Sequence, residues 1–219
     1  MGETMRLSDL PGRIPIFPLA GVLLLPRGRL PLNIFEPRYL EMTRDAMAGA
    51  KLIGMVQPED PADPAFEPAI YPVGCAGRIT SFEETDDGRY IIVLTGLARF
   101  RVARELARDS LYRQVEADWQ PYAADLETPD ESGIDRERLV PALGAYLKAA
   151  GIEIEPRAVA AAPGAVLVDQ LSMVCPFQPG EKQALLEAPD LSERARVMLA
   201  LMEMALLAGQ GEAPRGPAH

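Results

Sequence analysis

The sequence has almost no histidine. Its 219 residues include one, His219, which is the last residue. A Ser-His-Asp or Cys-His catalytic arrangement needs an imidazole, and so do H-E-x-x-H zinc sites and most other histidine-ligand metal sites. These classes of site are therefore excluded, and we expect neither a metal nor a cofactor.

Lysine is nearly as scarce, with only Lys51, Lys148 and Lys182. None of them follows a glycine, so the sequence has no G-x-x-x-x-G-K-[ST] loop that would hold nucleotide phosphates. A Ser–Lys catalytic pair such as Ser172 and Lys182 lacks any local signature. We therefore predict that the chain is not an enzyme.

Long apolar runs and an excess of positive charge are also absent. The longest strongly apolar run, 20–25, is far too short to span a bilayer, and the N-terminus lacks the pattern of a secretory signal. The two cysteines, Cys75 and Cys175, have no metal or redox spacing and are predicted to be buried apolar residues. The net charge of −10 disfavours binding to nucleic-acid phosphates. We expect a cytoplasmic protein with no membrane association.

The N-terminal part has the pattern of short strands. The segments 14–19 and 30–34 alternate or run apolar and contain prolines, which favours an edge or a bulge of a sheet because proline has no N–H to donate. Glu36 and Pro37 then mark a helix start. Asp87-Gly88 lies between two strand-like runs and predicts a hairpin with a type I′ turn, in which the glycine has positive φ.

The composition changes at residue 120. The stretch 120–133 has no apolar period and is interpreted as a linker, after which alanine and leucine dominate. Helical faces follow, formed by the residues Leu139, Leu143, Tyr146, Leu147, Ala150, Leu167, Leu171 and Val174. We predict a β-rich domain over 12–119, an α-helical bundle over 134–208 and a loose tail over 209–219.

Three separated motifs occur in an order that resembles the Lon protease N-terminal (substrate-binding) domain family. They are F-P-L with P-L-x-I-F-E-P-R-Y at 17–39, D-G-R-Y-I-I-V-L-T-G-L-A-R-F at 87–100, and P-G-E-K-Q-A-L-L-E at 179–187. The resemblance spans residues 14–207. It implies an α+β fold, in which a small β-barrel-like domain of the pseudouridine-synthase-and-archaeosine-transglycosylase type (PUA-like) precedes a C-terminal α-helical bundle.

The resemblance implies a non-enzymatic module that recognises unfolded or exposed apolar polypeptide and has a role in protein quality control. A proline-interrupted strand would accept an extended partner, and the candidate peptide-binding residues are Ile16, Phe17, Leu19, Phe35 and Tyr39. A core position is the alternative for all five, and we favour it for Ile16, Leu19 and Phe35.

Two other functions stay open at this point. The basic residues Arg99, Arg101, Arg104 and Arg108 would suit a nucleic-acid-binding barrel, although aromatic residues make up only 6% of the chain and do not interleave with them. Ion pairs with carboxylates are the simpler account of these arginines. The other possibility is an accessory subunit of a separate protease or chaperone. The acidic cluster at 83–87 is interpreted as a solvated turn rather than a cation site.

Overall fold

The chain forms two compact units. A computed structural model describes residues 5–63, 65, 67–107, 109–152, 159 and 161–211, the side chains of 209–211 excepted. The first unit combines the described residues of Met1–Pro129 with Asp169–Glu187. The second combines those of Asp130–Val168 with those of Ala188–His219. Neither unit is therefore one continuous piece of chain.

The first unit contains a six-stranded sheet in which the strand order is β2-β5-β4-β3-β1-β6. The strands are β1 (Arg13–Pro18), β2 (Arg29–Ile34), β3 (Leu52–Val56), β4 (Val73–Glu84), β5 (Tyr90–Glu105) and β6 (Gln114–Asp118). The first half of β5 pairs with β2, and its second half pairs with β6, so that five strands form a closed circuit of pairings with β2 outside it. The fold is thus mixed α/β, and the predicted barrel-like domain is confirmed only in part, because the sheet closes through five strands without being a clean barrel.

Buried apolar residues of the strands form a continuous core. Phe100 on β5 is fully buried and lies edge-on to Trp119, with the ring centroids 5.6 Å apart. The Trp119 indole N–H donates to the Pro11 carbonyl at 3.0 Å, which satisfies its polar group in an otherwise apolar setting. Along β6, Val115 and Ala117 are buried and Glu116 between them is exposed, so one face of this strand adds to the core.

The two proline-bearing strands differ in position. Pro31 lies on β2, at the end of the strand order, as the missing N–H predicts. The edge-or-bulge expectation is wrong for β1, which lies between β3 and β6. The pairing of β1 with β6 ends at Pro15, and its pairing with β3 begins at Ile16. Each half of β1 therefore pairs with a different strand. The proline lies where one ladder stops, and there a missing N–H costs little.

The β4–β5 hairpin closes through Gly88, whose φ is 78°. Gly88 N–H donates to the Thr85 carbonyl at 2.9 Å, and Thr85 N–H donates to the Arg89 carbonyl at 2.9 Å. Of the turn residues only the glycine has positive φ, so the turn is a type I turn with a glycine bulge rather than the predicted type I′.

Replacement of Gly88 by valine should lower the free energy of unfolding by about 1 kcal/mol or more, because a β-branched residue resists positive φ. No atom lies within 4 Å of the Cβ that a side chain would add, so the loss would come from backbone strain alone. Gly88→Asn is the matched control and should lose less, since asparagine tolerates this conformation. Equal urea midpoints for Gly88→Val and the unchanged protein would show that the turn does not require positive φ at residue 88.

A cross-strand pair of glycines leaves room for a loop against one face of the sheet. Gly77 on β4 and Gly96 on β5 are cross-strand partners. A Cβ on Gly96 would lie 1.9 Å from the Leu25 carbonyl oxygen, and one on Gly77 would lie 2.7 Å from Leu24 Cδ2. The buried loop that contains Leu23, Leu24 and Leu25 therefore crosses the sheet at close range, and only glycine leaves room for it.

The helices of the described residues include the one predicted to start at Pro37. Two short 3₁₀ helices (Leu7–Asp9 and Gln120–Leu126) accompany α1 (Pro37–Ala48), α2 (Arg136–Ala149), α3 (Gly164–Val174), α4 (Pro179–Glu187) and α5 (Leu191–Gly211). Glu36 and Pro37 start α1 as predicted. Val174 is 68% exposed, so its predicted place on a buried face is wrong, whereas Leu167 and Leu171 are buried.

In the second unit, α2 packs against α5, and the buried residues of the two helices include Leu139, Leu143, Met198 and Met202. The Glu131 carboxylate accepts from the N–H groups of Gly164 and Ala165 at 2.8 and 3.0 Å and so caps α3. The contacts group α4 and the last part of α3 with the sheet. The predicted domains, 12–119 and 134–208, are not tested by this grouping and stay a prediction.

The predicted linker is partly ordered. Residues 120–126 form a 3₁₀ helix with Tyr122 buried, because Asp125 binds Arg99 of the sheet. The tail predicted from residue 209 also needs correction: α5 continues to Gly211, and residues 212–219 lie outside the described residues.

Candidate binding surface

The side of β2 that faces away from β5 is an open edge of the sheet. Among the described residues, β2 pairs with β5 alone. Arg29, Pro31 and Asn33 are exposed, and Leu30 and Leu32 between them are half-buried. The predicted alternation of Leu30, Leu32 and Ile34 on one face is confirmed.

The hydrogen bonds at the start of β2 fix which backbone groups face outward. Gly96 N–H donates to the Gly28 carbonyl and its own carbonyl accepts from Arg27 N–H, each at 2.8 Å. In an antiparallel ladder, alternate residues bond to the same neighbour, so Leu30, Leu32 and Ile34 face β5. The backbone groups of Arg29, Pro31 and Asn33 therefore point away from the sheet, and Pro31 supplies a carbonyl but no N–H.

A tight turn at 25–28 sets the start of this strand. Gly28 N–H donates to the Leu25 carbonyl at 2.9 Å, and Arg27 has a φ of 65°, a conformation that usually belongs to glycine. The Arg27 guanidinium contacts the Asp125 carbonyl at 3.2 Å and the buried Asp169 carboxylate at 3.4 Å. These contacts stabilise Arg27 in a backbone conformation that residues other than glycine rarely adopt.

Exposed apolar side chains lie next to β2. Phe35 directly follows the strand and is 60% exposed, which overturns its expected core position. Ile91 is 38% exposed and is the cross-strand partner of Asn33 on β5. An exposed phenylalanine beside an unpaired strand edge is the kind of feature that marks an interaction surface.

The structure separates the other predicted binding residues from this surface. Ile16, Phe17 and Tyr39 are buried, and the rings of Phe17 and Tyr39 lie 4.1 Å apart at their centroids. Leu19 is half-buried, and its N–H donates to the Val56 carbonyl. Of the five candidates, Phe35 alone is open to a partner. The assignment of the five as a binding site stays a prediction.

The Tyr39 ring also contacts the side chain of its neighbour Arg38. The Arg38 guanidinium lies 4.5 Å from the centre of the Tyr39 ring and binds Glu36 at 2.9 Å. Burial raises the pKa of the Tyr39 hydroxyl, although the nearby Arg38 charge acts in the opposite direction. The hydroxyl is thus kept neutral, and the ring packs against Phe17 at the start of α1.

The predicted basic patch does not form one surface. Arg99 is 3% exposed and binds Asp125, whereas Arg101 is exposed and Arg104 pairs with Glu116. Burial opposes the charge of Arg99, but the hydrogen bonds and charge of Asp125 outweigh it and raise the pKa of Arg99. A buried, paired guanidinium cannot reach a phosphate. Arg108 lies outside the described residues.

Two shallow clefts of about 210 and 220 Å³ share Tyr112 and Gln114 in the first unit. The Tyr112 hydroxyl donates to the Asp45 carboxylate at 2.8 Å. Burial and this hydrogen bond raise the pKa of Tyr112 to about 12. The polar groups in the clefts bind one another, as do Arg13 and Asp109 at 2.8 Å, and do not converge on an empty position.

The described residues have no feature of a metal site or of a membrane-spanning helix. Within the described ranges, no three His, Cys, Asp or Glu residues are arranged to hold a metal ion. The hairpin acids at 83–87 are mostly exposed, and Asp87 binds Arg89 at 2.9 Å. No helix in the described part of the chain combines the length and apolar character needed to cross a membrane.

Comparison with known families gives a match over residues 13–204 to the ATP-dependent protease La (LON) substrate-binding domain. Lon protease 2 of Myxococcus xanthus is 32% identical over 89% of the chain, and Lon protease of Anaeromyxobacter dehalogenans is 29% identical over 92%. The chain spans about a quarter of the length of these relatives, 24% in each case.

Solved structures give the same result. A Lon N-terminal domain protein from Xanthomonas campestris superposes with a TM-score of 0.62 at 27% identity, over 86% of this chain and 97% of that one. The N-terminal domain of Mycobacterium avium complex Lon protease has a TM-score of 0.59 over 87% and 98% of the two chains. At 17% identity the second likeness supports the fold alone.

Proposed function

We propose that this chain, which belongs to the ATP-dependent protease La (LON) substrate-binding domain family, binds unfolded or extended segments of other polypeptides. Binding, and not bond cleavage, is the part of the work that it contributes. The role that follows is the selection of damaged or unfolded proteins for a protease or chaperone in protein quality control.

The observation that carries this proposal is the exposed Phe35 next to a strand with one unpaired side. Folded proteins bury their large apolar side chains, so an apolar surface offers contacts mainly to chains that expose theirs. Phe35 is 60% exposed and directly follows β2. One open aromatic side chain beside free backbone groups suits a partner that presents both apolar side chains and unpaired backbone.

The distribution of charge supports the choice of polypeptide over nucleic acid. The net charge is −10, and the most basic stretch of the sequence has its first arginine buried in an ion pair. Extended clients that are neutral or basic would gain long-range attraction, which salt would weaken.

The test is fluorescence anisotropy with a labelled globular protein that has been reduced and carboxymethylated, so that it stays unfolded. We expect a Kd of ~10 μM or weaker without nucleotide, because a small surface has to offset the ordering entropy of a flexible ligand. Phe35→Ser should weaken binding roughly fivefold, since the client loses the burial of an aromatic ring. Leu111→Ser is the matched control, because Leu111 is 53% exposed in the same unit and should not matter.

The folded counterpart of the client and a short RNA complete the experiment. Preference for the unfolded form over both supports the proposal. Equal binding to the folded and unfolded forms would rule it out, and tighter binding to the RNA would favour the nucleic-acid function instead.

A further inference from the structure

We propose that the client segment docks as an added β-strand on the free side of β2, and that it carries apolar residues at alternate positions. This inference rests on the proposed function and names the surface and the pattern that it recognises. It depends on three observations: the direction of the β2 backbone groups, the exposure of its side chains and the place of Pro31.

The outward backbone groups of β2 offer a hydrogen-bonding pattern to a partner strand, and only the N–H of Pro31 is missing from it. Because Leu30, Leu32 and Ile34 bond to β5, the carbonyls of Arg29, Pro31 and Asn33 and the N–H groups of Arg29 and Asn33 face solvent. Their spacing repeats every second residue, which only another extended chain can match. A folded client has few such unpaired groups to offer, and an unfolded one has many.

The side chains of β2 predict the pattern of the client. Leu30 and Leu32 are half-buried on one face of the strand, and Arg29, Pro31 and Asn33 are exposed on the other. A strand added beside β2 would place alternate side chains next to Leu30 and Leu32, where apolar residues would complete their burial. Positions between them would face solvent beside Arg29 and Asn33 and would tolerate polar residues.

Pro31 distinguishes a client from a second copy of this chain. If two β2 strands paired antiparallel about their centres, Pro31 would lie opposite Pro31, and that pair would lose both of its hydrogen bonds. A client strand would lose only the bond that Pro31 N–H would have made. Proline on an edge strand is a known protection against self-pairing, and here it leaves client pairing nearly intact.

The decisive variants change outward backbone groups and leave the sheet unchanged. Asn33→Pro removes an outward N–H and puts a ring in the path of the added strand, while the bonds to β5 come from other residues. We expect it to weaken binding of the unfolded, carboxymethylated protein at least fivefold. Asn33→Ala, the matched control, keeps the N–H and should bind as the unchanged protein does.

Pro31→Ala supplies the opposite change. It restores an outward N–H, so binding should become about two- to fivefold tighter. Far-ultraviolet circular dichroism and a urea midpoint establish that each variant is folded. If Asn33→Pro does not fold, Pro31→Ala alone decides, and unchanged or weaker affinity in that variant would overturn the inference.

A peptide arm tests the added strand directly. The probe is a ten-residue peptide with apolar side chains at every second position, together with two versions that are N-methylated at alternate residues, one residue out of phase. An added strand faces β2 with only one of the two sets of N–H groups. One version should therefore lose binding about tenfold or more, and the other should retain it.

The outcomes separate this inference from the proposed function. Unfolded-protein binding that is unaffected by Asn33→Pro and Pro31→Ala would overturn strand addition and leave the function standing. A dimer of the unchanged protein that Asn33→Pro converts to a monomer would assign the edge to a second copy and overturn the client. Failure of the unchanged protein to prefer unfolded clients would reject the function and this inference together.

Discussion

Asp125→Ala should lower the free energy of unfolding by about 3–5 kcal/mol, because it leaves the Arg99 guanidinium buried without its counter-charge. The Arg99 side chain is 4% exposed and that of Asp125 is 8% exposed. Arg99 Nε and Nη2 donate to the two carboxylate oxygens at 2.9 and 2.8 Å, and the Arg99 backbone N–H donates to the same carboxylate at 2.9 Å. One substitution therefore removes three bonds from a nearly dry site.

Two further partners of Arg99, a carbonyl and an aromatic ring, carry no formal negative charge. Its Nη1 donates to the Leu186 carbonyl at 3.0 Å, and its guanidinium lies 4.4 Å from the centre of the Tyr122 ring. A carbonyl and an aromatic face stabilise a cation only in part. The 3₁₀ helix at 120–126 and the end of α4 should therefore loosen from the sheet when Asp125 is removed.

Two comparisons make the Asp125 prediction specific. Glu116→Ala breaks the ion pair between Glu116 and Arg104, which lies on the same strand β5 as Arg99. The side chains of Arg104 and Glu116 are 71% and 48% exposed, so this change should cost less than ~1 kcal/mol. The double variant Arg99→Met with Asp125→Leu replaces both charges by apolar groups and should recover most of the loss. Urea denaturation followed by tryptophan fluorescence measures all three, and a loss below 1 kcal/mol for Asp125→Ala would show that the pair is dispensable.

Gly96→Ala should cost about 3 kcal/mol or more, since a single methyl group would collide with the backbone of another segment. The new Cβ would lie 1.9 Å from the Leu25 carbonyl oxygen and 2.8 Å from its carbonyl carbon. A side chain can change rotamer to avoid a collision, whereas a buried loop has to move as a whole. Since that loop leads into the turn at 25–28, the variant should also displace the start of β2.

The control for Gly96 is Gly12→Ala. No atom lies within 4 Å of a Cβ at Gly12, and its φ is not positive, so the change should leave the thermal midpoint nearly unaltered. Thermal unfolding of the two variants side by side, with client binding of whichever remains folded, checks both the stability and the position of β2. Equal midpoints for Gly96→Ala and Gly12→Ala would refute the close crossing.

Local patterns of the sequence predicted local structure well. The alternation at 30–34, the start of α1 at Glu36 and the positive φ of Gly88 each depend on neighbours within a few residues, and each is confirmed. The resemblance to Lon substrate-binding domains is confirmed too. The sequence offers Phe35 as a candidate binding residue but favours a core position for it, and its exposure is visible only in the folded chain.

Contacts between distant parts of the sequence escaped prediction. Asp125 lies in a polar stretch typical of linkers, and nothing near it indicates Arg99, which is 26 residues earlier. Arg27 has positive φ in a Pro-Arg-Gly sequence that gives no warning of it, because its support comes from Asp125 and Asp169 far along the chain. The proline in 30–34 predicts an edge or a bulge, but the strand that β2 pairs with does not follow from local sequence, since strand order is a property of the whole sheet.

The interleaving of the two units has a consequence for synthesis on the ribosome. The first unit needs Asp169–Glu187, which is made only after residues 130–168 of the second unit. Until Leu186 has left the exit tunnel, the Arg99 guanidinium lacks one of its acceptors, and the surface of β4 that α4 covers stays open to water. A nascent chain that forms its sheet before residues 179–187 emerge would therefore expose that side of the sheet until α4 is made.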